Sequence, residues 1–356
     1  MSSGIKVVLG LIVIILLVSA GVFFGTKVYW KEVLTNAGVE LGLNKEEKAT
    51  PPKIEPKEPN IKIFNGTDRP IAFMIDNNVN AQPQSSINKA YAIYEIIVEG
   101  NETRLMALFK ERDIDVIGPM RSARHYFIDY AMEHDAIYVH LGESPQAVER
   151  MKTYKINSIN GQHYDTMKAR TDTSRFWRSK RAAPHNAYTN IEKILEISKD
   201  KGYKTTSNVK SPFNYVEEEV RFDDSDIIVN SVTIPYSKNH LVKYVYDEKT
   251  ERYTRYSKGK KQTDEETKED VTTKNIIITF AHNYSIPGAE GRQDVVTTGE
   301  LEGYYITNGK AIKITCKKES ITSKTKYLDE AGKEIKINDG NMFVNICPMG
   351  NEVTFE

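Results

Sequence analysis

From Val7 to Phe24 the chain runs through 18 residues, VVLGLIVIILLVSAGVFF, without a single charge. At ~1.5 Å per helical residue such a run reaches ~27 Å, enough to cross a bilayer core. It constrains everything downstream, because the polar remainder must then fold as a unit of its own on one side of a membrane. Only Lys6 and the α-amino group precede the run. Residues 1–6 are therefore expected as a cytoplasmic end, 7–24 as a single-pass transmembrane helix, and the folded part as extracytoplasmic. The small residues of VSA at 18–20 would also suit a cleaved signal peptide. The anchor is preferred, since the apolar run continues through Phe23 and Phe24. Residues 25–60 then form a juxtamembrane segment, with Tyr29 and Trp30 as interfacial aromatics, and a linker. The linker, NKEEKATPPKIEPKEPN, has four prolines and alternating charges and little to bury, so it is read as an extended spacer.

With Lys+Arg 49 against Asp+Glu 49, neither sign is in excess, and a chain built to coat nucleic acid is excluded. Cys316 and Cys347 are the only cysteines, too few for a disulfide scaffold and without metal-ligand spacing; they are expected as buried thiols in strands. No metal site and no cofactor is expected.

Residues 61–215 mix strand and helix signals. PIAFMIDN reads as a buried strand and turn, AIYVHL as a strand, and GESPQAVERM as a helix capped by Ser144 with Pro145 first in the helix. TNIEKILEISK opens with Thr189 and Glu192 at capping-box spacing. From about 220 the pattern is strands alone. HLVKYVYD and ERYTRYS alternate, NIIITFA and NMFVNICP are apolar, and Asn308-Gly309 joins two alternating runs as a tight hairpin. The fold class is thus an α/β domain with a mixed sheet and helices, 61–215, followed by a small antiparallel β domain, 216–356.

YAIYEIIVEGNETRLMALF reads as a hairpin with Gly100-Asn101 as its two-residue turn. That register pairs Glu99 with Glu102, Ile97 with Arg104 and Glu95 with Met106, and puts all six on one side. The opposite face, from Tyr94 to Ala107, is apolar enough to pack. The charged face is read first as solvated, with a surface ion pair worth ~0–1 kcal/mol. The sharper alternative is a site floor on which Glu95 and Glu99, ~13 Å apart, bracket a ligand.

GPMRSARHYFIDYA puts a Gly-Pro turn before a helical pattern and loads the helix's expected first turn with Arg121 and Arg124. The positive end of the helix dipole disfavours cations there by a few tenths of a kcal/mol, unless an anion is bound as well. His140 ends a strand just before a Gly turn and a helix start, where open α/β sheets place ligands. His185 and Asn186 lie in a Pro-containing loop, and KARTDTSRFWRSKR adds Arg175, Arg178 and Arg181 around Phe176 and Trp177, a solvated loop or a cationic, aromatic-lined clamp. Each histidine alone is more often structural than catalytic.

RPIAFMIDN, QPQSS, YEIIVEGNETR, GPMRSARHY, HLGES and APHNAY follow one another in an order that closely resembles the YerB-like proteins. The resemblance spans about 60–350. It implies an extracytoplasmic protein of Gram-positive type, usually a lipoprotein, with an α/β and then a β domain of unknown function. The chain departs from the pattern at Gln82 and Ser86, where Arg and Gly are usual, and at Glu143, where Gly is usual. It has no lipobox cysteine, which implies that a membrane helix replaces the lipid.

Two functions are weighed. In the first, the α/β part binds a carboxylate or phosphate of a cell-envelope polymer through Asp76, Arg104, Arg121, Arg124, Ser144, Arg178, His185 and Asn186, while the β part meets a membrane or envelope protein. In the second, it hydrolyses or lyses peptidoglycan or another glycan, with Glu95 or Glu99 as general acid or base and His140 or His185 assisting.

Overall fold

A computed structural model of the protein describes residues 60–164, 168–223 and 227–356. The apolar run, residues 25–43 and the spacer up to residue 59 lie outside the described residues. Among the described residues no helix is long and apolar enough to cross a membrane. The described residues belong to one compact unit, Pro59–Glu356.

The strands of the first half are β1 (Ile71–Asp76), β2 (Ala92–Ile97), β3 (Thr103–Phe109), β4 (Ile137–His140) and β5 (Ser158–Asn160). Its helices are α1 (His125–Glu133), α2 (Pro145–Thr153) and α3 (Ile191–Asp200). In the second half the principal strands are β6 (Ser231–Ser237), β7 (His240–Asp247), β8 (Arg252–Ser257), β9 (Asn275–Ala281), β10 (Gly299–Thr307), β11 (Lys310–Lys318), β12 (Lys326–Leu328) and β13 (Met342–Pro348). An 11-stranded sheet runs in the order β12-β11-β10-β9-β13-β2-β3-β1-β4-β5, with Ile227–Ile228 added to β11. The halves read from the sequence therefore share this sheet. The second half, expected as an antiparallel β domain, is not antiparallel throughout, because β13 lies parallel to both β2 and β9.

One face of the sheet carries α1, where Tyr130 stacks on Tyr94 at 4.9 Å and the Tyr126 hydroxyl donates to the Ile97 carbonyl. The other face meets a 6-stranded sheet containing β6, β7 and β8. Tyr236 of β6 donates to the Glu95 carbonyl and Tyr244 of β7 to Asn345 Oδ1 of β13. β1, β2 and β3 are buried along their whole length, as strands covered on both sides must be. The expected solvated face on the β2–β3 hairpin does not exist.

The hairpin also closes differently. Glu99, Gly100 and Asn101 form a three-residue loop, Gly100 and Asn101 both at left-handed φ, shut by a Val98 N–H bond to the Glu102 carbonyl. Ile97 consequently pairs with Thr103 and Glu95 with Leu105. This one-residue slip sends Arg104 to the face opposite Glu95, so the predicted grouping of Glu95, Glu99 and Arg104 is wrong and the bracket falls with it. At Asn308-Gly309 the two-residue turn holds: Thr307 pairs with Lys310, and both turn residues have positive φ.

Ser144 caps α2 as expected, accepting the Ala147 N–H. α3 begins one residue later than predicted, with Asn190 as cap accepting from Lys193, while the Thr189 hydroxyl donates to the Arg175 carbonyl. Cys316 and Cys347 are free and buried in strands.

Candidate functional site

β1 and β4 run parallel and pair over Ile71–Phe73 and Ile137–Val139. Beyond that the segment 118–124 is wedged between them. The Arg121 N–H bonds the Met74 carbonyl, the Arg121 carbonyl accepts from Leu141, and the Ala123 N–H bonds the Gly142 carbonyl. α1 starts only at His125, with Arg124 as its cap residue. Arg121 and Arg124 therefore do not occupy the helix's first turn as predicted; the segment holding them is extended, and the dipole conflict does not arise.

The wedge lies at the carboxyl ends of β1, β4 and β5, the edge where open α/β sheets hold ligands. Their last residues are Asp76, His140 and Asn160. Asp76 is buried, its Oδ2 2.7 Å from His185 Nδ1 and 3.5 Å from Arg121 Nε, its Oδ1 accepting the Asn78 N–H. Gln84 fixes the same corner, donating to the Asp76 carbonyl and to Asn77 Oδ1. Arg121 is 27% exposed at its side chain, and its terminal guanidinium nitrogens meet no partner among the described residues.

Next to it, Glu99 gathers two cations, accepting from Arg124 Nε at 2.6 Å and Arg104 Nη2 at 3.4 Å. Arg124 and Arg104 also donate to the Ala123 and Ser122 carbonyls. Burial lowers Arg104 to about 10, Arg124 and Arg121 adding to the effect and Glu99 opposing it. Burial alone would raise the Glu99 carboxyl, but Arg124 and Arg104 outweigh it and hold it below its ordinary value. Arg124→Ala should thus lower stability by about 1–2 kcal/mol, read as a drop in melting temperature, and leave anion affinity unchanged. An affinity loss without a stability loss would contradict this assignment.

His140 is buried and pushed down to about 4 by burial, so it is neutral at pH 7. Its Nδ1 faces the Gly142 carbonyl at 2.9 Å, and Glu143, held by Asn160, lies beside it. Gly142 has φ +79°, and a Cβ there would meet Ser122 Oγ at 3.1 Å. Ser144 spends its hydroxyl on the α2 cap. Arg178 donates to Asn186, which donates to the Arg181 carbonyl. Arg181 grips the carbonyls of Ala81 and Pro83 and pairs with Glu265. The basic loop is thus knotted into the fold, and what it brings to Asp76 is His185.

Glu95 sits on the other face, fully buried among Arg255, Asn77, Thr103 and His240. Its burial favours the neutral acid, but Arg255, His240 and Thr103 overcome this and hold the carboxyl down to about 2. At neutral pH it has no proton to give and no route to a substrate. Asn77, Gln84, Asn160, Arg255 and His240 were missed from sequence. Asn77 and Gln84 stand in quoted blocks, RPIAFMIDN and QPQSS; the others carry no local signal.

Two family models cover most of the chain. Residues 58–204 match "Protein of unknown function (DUF3048) N-terminal domain" and residues 232–344 the corresponding C-terminal domain. The chain belongs to the DUF3048 family. A curated relative is the Bacillus subtilis (strain 168) protein named "Putative lipoprotein YerB", 31% identical over 284 residues, or 79% of this chain and 81% of the relative. The crystal structure of YerB from Bacillus subtilis matches with a TM-score of 0.73 at 29% identity, covering 85% of this chain and 100% of that one. The resemblance to YerB-like proteins holds. In this DUF3048 member two departures from the usual pattern have visible settings. Ser86 adopts φ 62°, a conformation that favours glycine, and is held by the Asp264 carboxylate. Glu143 binds Asn160.

Proposed function

We propose that this protein is a membrane-anchored extracytoplasmic binding protein that takes an anionic group of a cell-envelope polymer at Arg121. The anchoring rests on the name of the curated relative and on the apolar run 7–24. One observation carries the ligand reading: a partly exposed guanidinium fork whose outer nitrogens meet no acceptor among the described residues, beside cations that are already paired. Such a fork suits bidentate capture of a phosphate or carboxylate. The glycan-cleaving alternative is disfavoured, because Glu95 is fully buried and both carboxylates are held below their ordinary values, which leaves neither as the general acid.

The test titrates the full chain with inorganic phosphate and with a poly(glycerol phosphate) polymer. Arg121→Ala is expected to weaken binding about tenfold, ~1.4 kcal/mol, with an unchanged melting temperature. Equal affinity in the variant would reject the site.

A further inference from the structure

His185 and Arg121 are both held by one atom, Asp76 Oδ2, at 2.7 Å and 3.5 Å. Asp76 is buried, whereas the side chains of Arg121 and His185 are 27% and 15% exposed, so solvent reaches the cation and the imidazole more than the carboxylate that holds them. Asp76 engages Nδ1 of His185, and no described residue bonds Nε2. A buried carboxylate on one ring nitrogen fixes the ring's orientation and leaves the other nitrogen to exchange a proton with a bound reactant. The Asp76 oxygens are fixed in turn: Asn78 donates to Oδ1, and the Asp76 backbone is pinned by Pro119 and Gln84. His185 approaches from a loop anchored by the Arg178–Asn186–Arg181 chain of hydrogen bonds, so the pair is preorganised from both sides.

We propose that Asp76 and His185 form an acid–base dyad that, with Arg121, hydrolyses a phosphodiester. This rests on the reading of Arg121 as the anion anchor. Arg121 holds two non-bridging oxygens and draws charge from phosphorus. His185 Nε2 takes a proton from a water molecule whose oxygen bonds to phosphorus. The phosphorus–oxygen bond to one alcohol breaks, and the imidazolium returns the proton to the departing alkoxide. The products are a phosphomonoester and an alcohol; no oxidant and no further reactant enters. Asp76 acts as a positioning residue.

The experiment assays the full chain against bis(p-nitrophenyl) phosphate and measures inorganic phosphate binding in parallel. Nitrophenolate release above the buffer rate is expected. His185→Gln should cut kcat by about 10²–10⁴-fold with KM nearly unchanged, Arg121→Ala should raise KM about tenfold, and His185→Gly should regain turnover when imidazole is added. A purely structural histidine would give no such rescue. Phosphate binding that needs Arg121 without any turnover would overturn the dyad and leave the binding site standing. Turnover that survives His185→Gln would overturn the dyad as well, and phosphate binding indifferent to Arg121 would remove the anchor on which both readings rest.

Discussion

Arg255→Ala is expected to cost roughly 3–5 kcal/mol of stability, the range for removing one partner of a buried ion pair. Arg255 and Glu95 are both 0% exposed, one on β8 and the other on β2, so the pair ties the two sheets together through the middle of the molecule. Alanine leaves Glu95 with only Asn77, Thr103 and His240, and burial, now less opposed, drives its carboxyl toward the neutral form. The pH dependence follows. In the native protein Glu95 lies at about 2 against an ordinary 4.5, so its contribution is full above about pH 4.5 and is lost as pH falls toward 2. That loss is of the order of 3 kcal/mol. Urea denaturation at pH 7, 4 and 3 should therefore show native stability falling with acid and the variant falling less. The double replacement Arg255→Met with Glu95→Leu should recover most of the loss, since an apolar pair incurs no charge-burial penalty. A single variant as stable as the native protein would refute the account.

The second large effect is expected at Gly118→Ala. Gly118 opens the wedge with φ 155°, and a Cβ there would lie 2.6 Å from Tyr188 Cδ1 and 2.8 Å from the Ala187 carbonyl oxygen. That oxygen is backbone and already accepts the Met120 N–H, so it cannot retreat without losing a bond of the wedge itself. Steric overlap and an unfavourable backbone together predict a cost of roughly 2–5 kcal/mol. Because the displaced residues run directly into Arg121, phosphate affinity should fall with stability, unlike in Arg121→Ala. Gly100→Ala is the control, since a Cβ at Gly100 meets nothing within 4 Å and only the φ of +69° opposes it. Similar melting temperatures for the Gly118 and Gly100 variants would show the wedge to be pliable.

The sequence made some of this legible for physical reasons that can be traced residue by residue. Turns whose geometry demands particular residues were readable, as at Asn308-Gly309, and so was the Ser144-Pro145 helix start. At Gly100-Asn101 the pair in reversed order served a longer loop with two left-handed positions, and the error of one residue turned Glu95 and Arg104 to opposite faces. Arg255 was invisible because alternation in ERYTRYS separates two sides without saying which is inner. Tyr253, Arg255 and Ser257 point inward, while Arg252, Thr254 and Tyr256 are half-exposed. Of the candidate site, Asp76, Arg121, Arg124 and His185 do meet in one region, yet their pairings depend on contacts between residues up to 109 apart in the chain. The sharing of one sheet by both halves was likewise unreadable, because parallel partners leave no local mark.

The position of β13 sets a timetable for the chain's biogenesis. Among the described residues it is the long strand furthest along the chain, and it occupies the centre of the largest sheet, hydrogen-bonded on one edge to β2 and on the other to β9. Until Met342–Pro348 has left the ribosome, β2 has an open apolar edge and no neighbour on that side. Pairing across so many residues is slow to find and exposes the nascent protein to aggregation or proteolysis meanwhile. A chain that stops short of residue 342 therefore lacks the strand that joins β2 of the first half to β9 of the second.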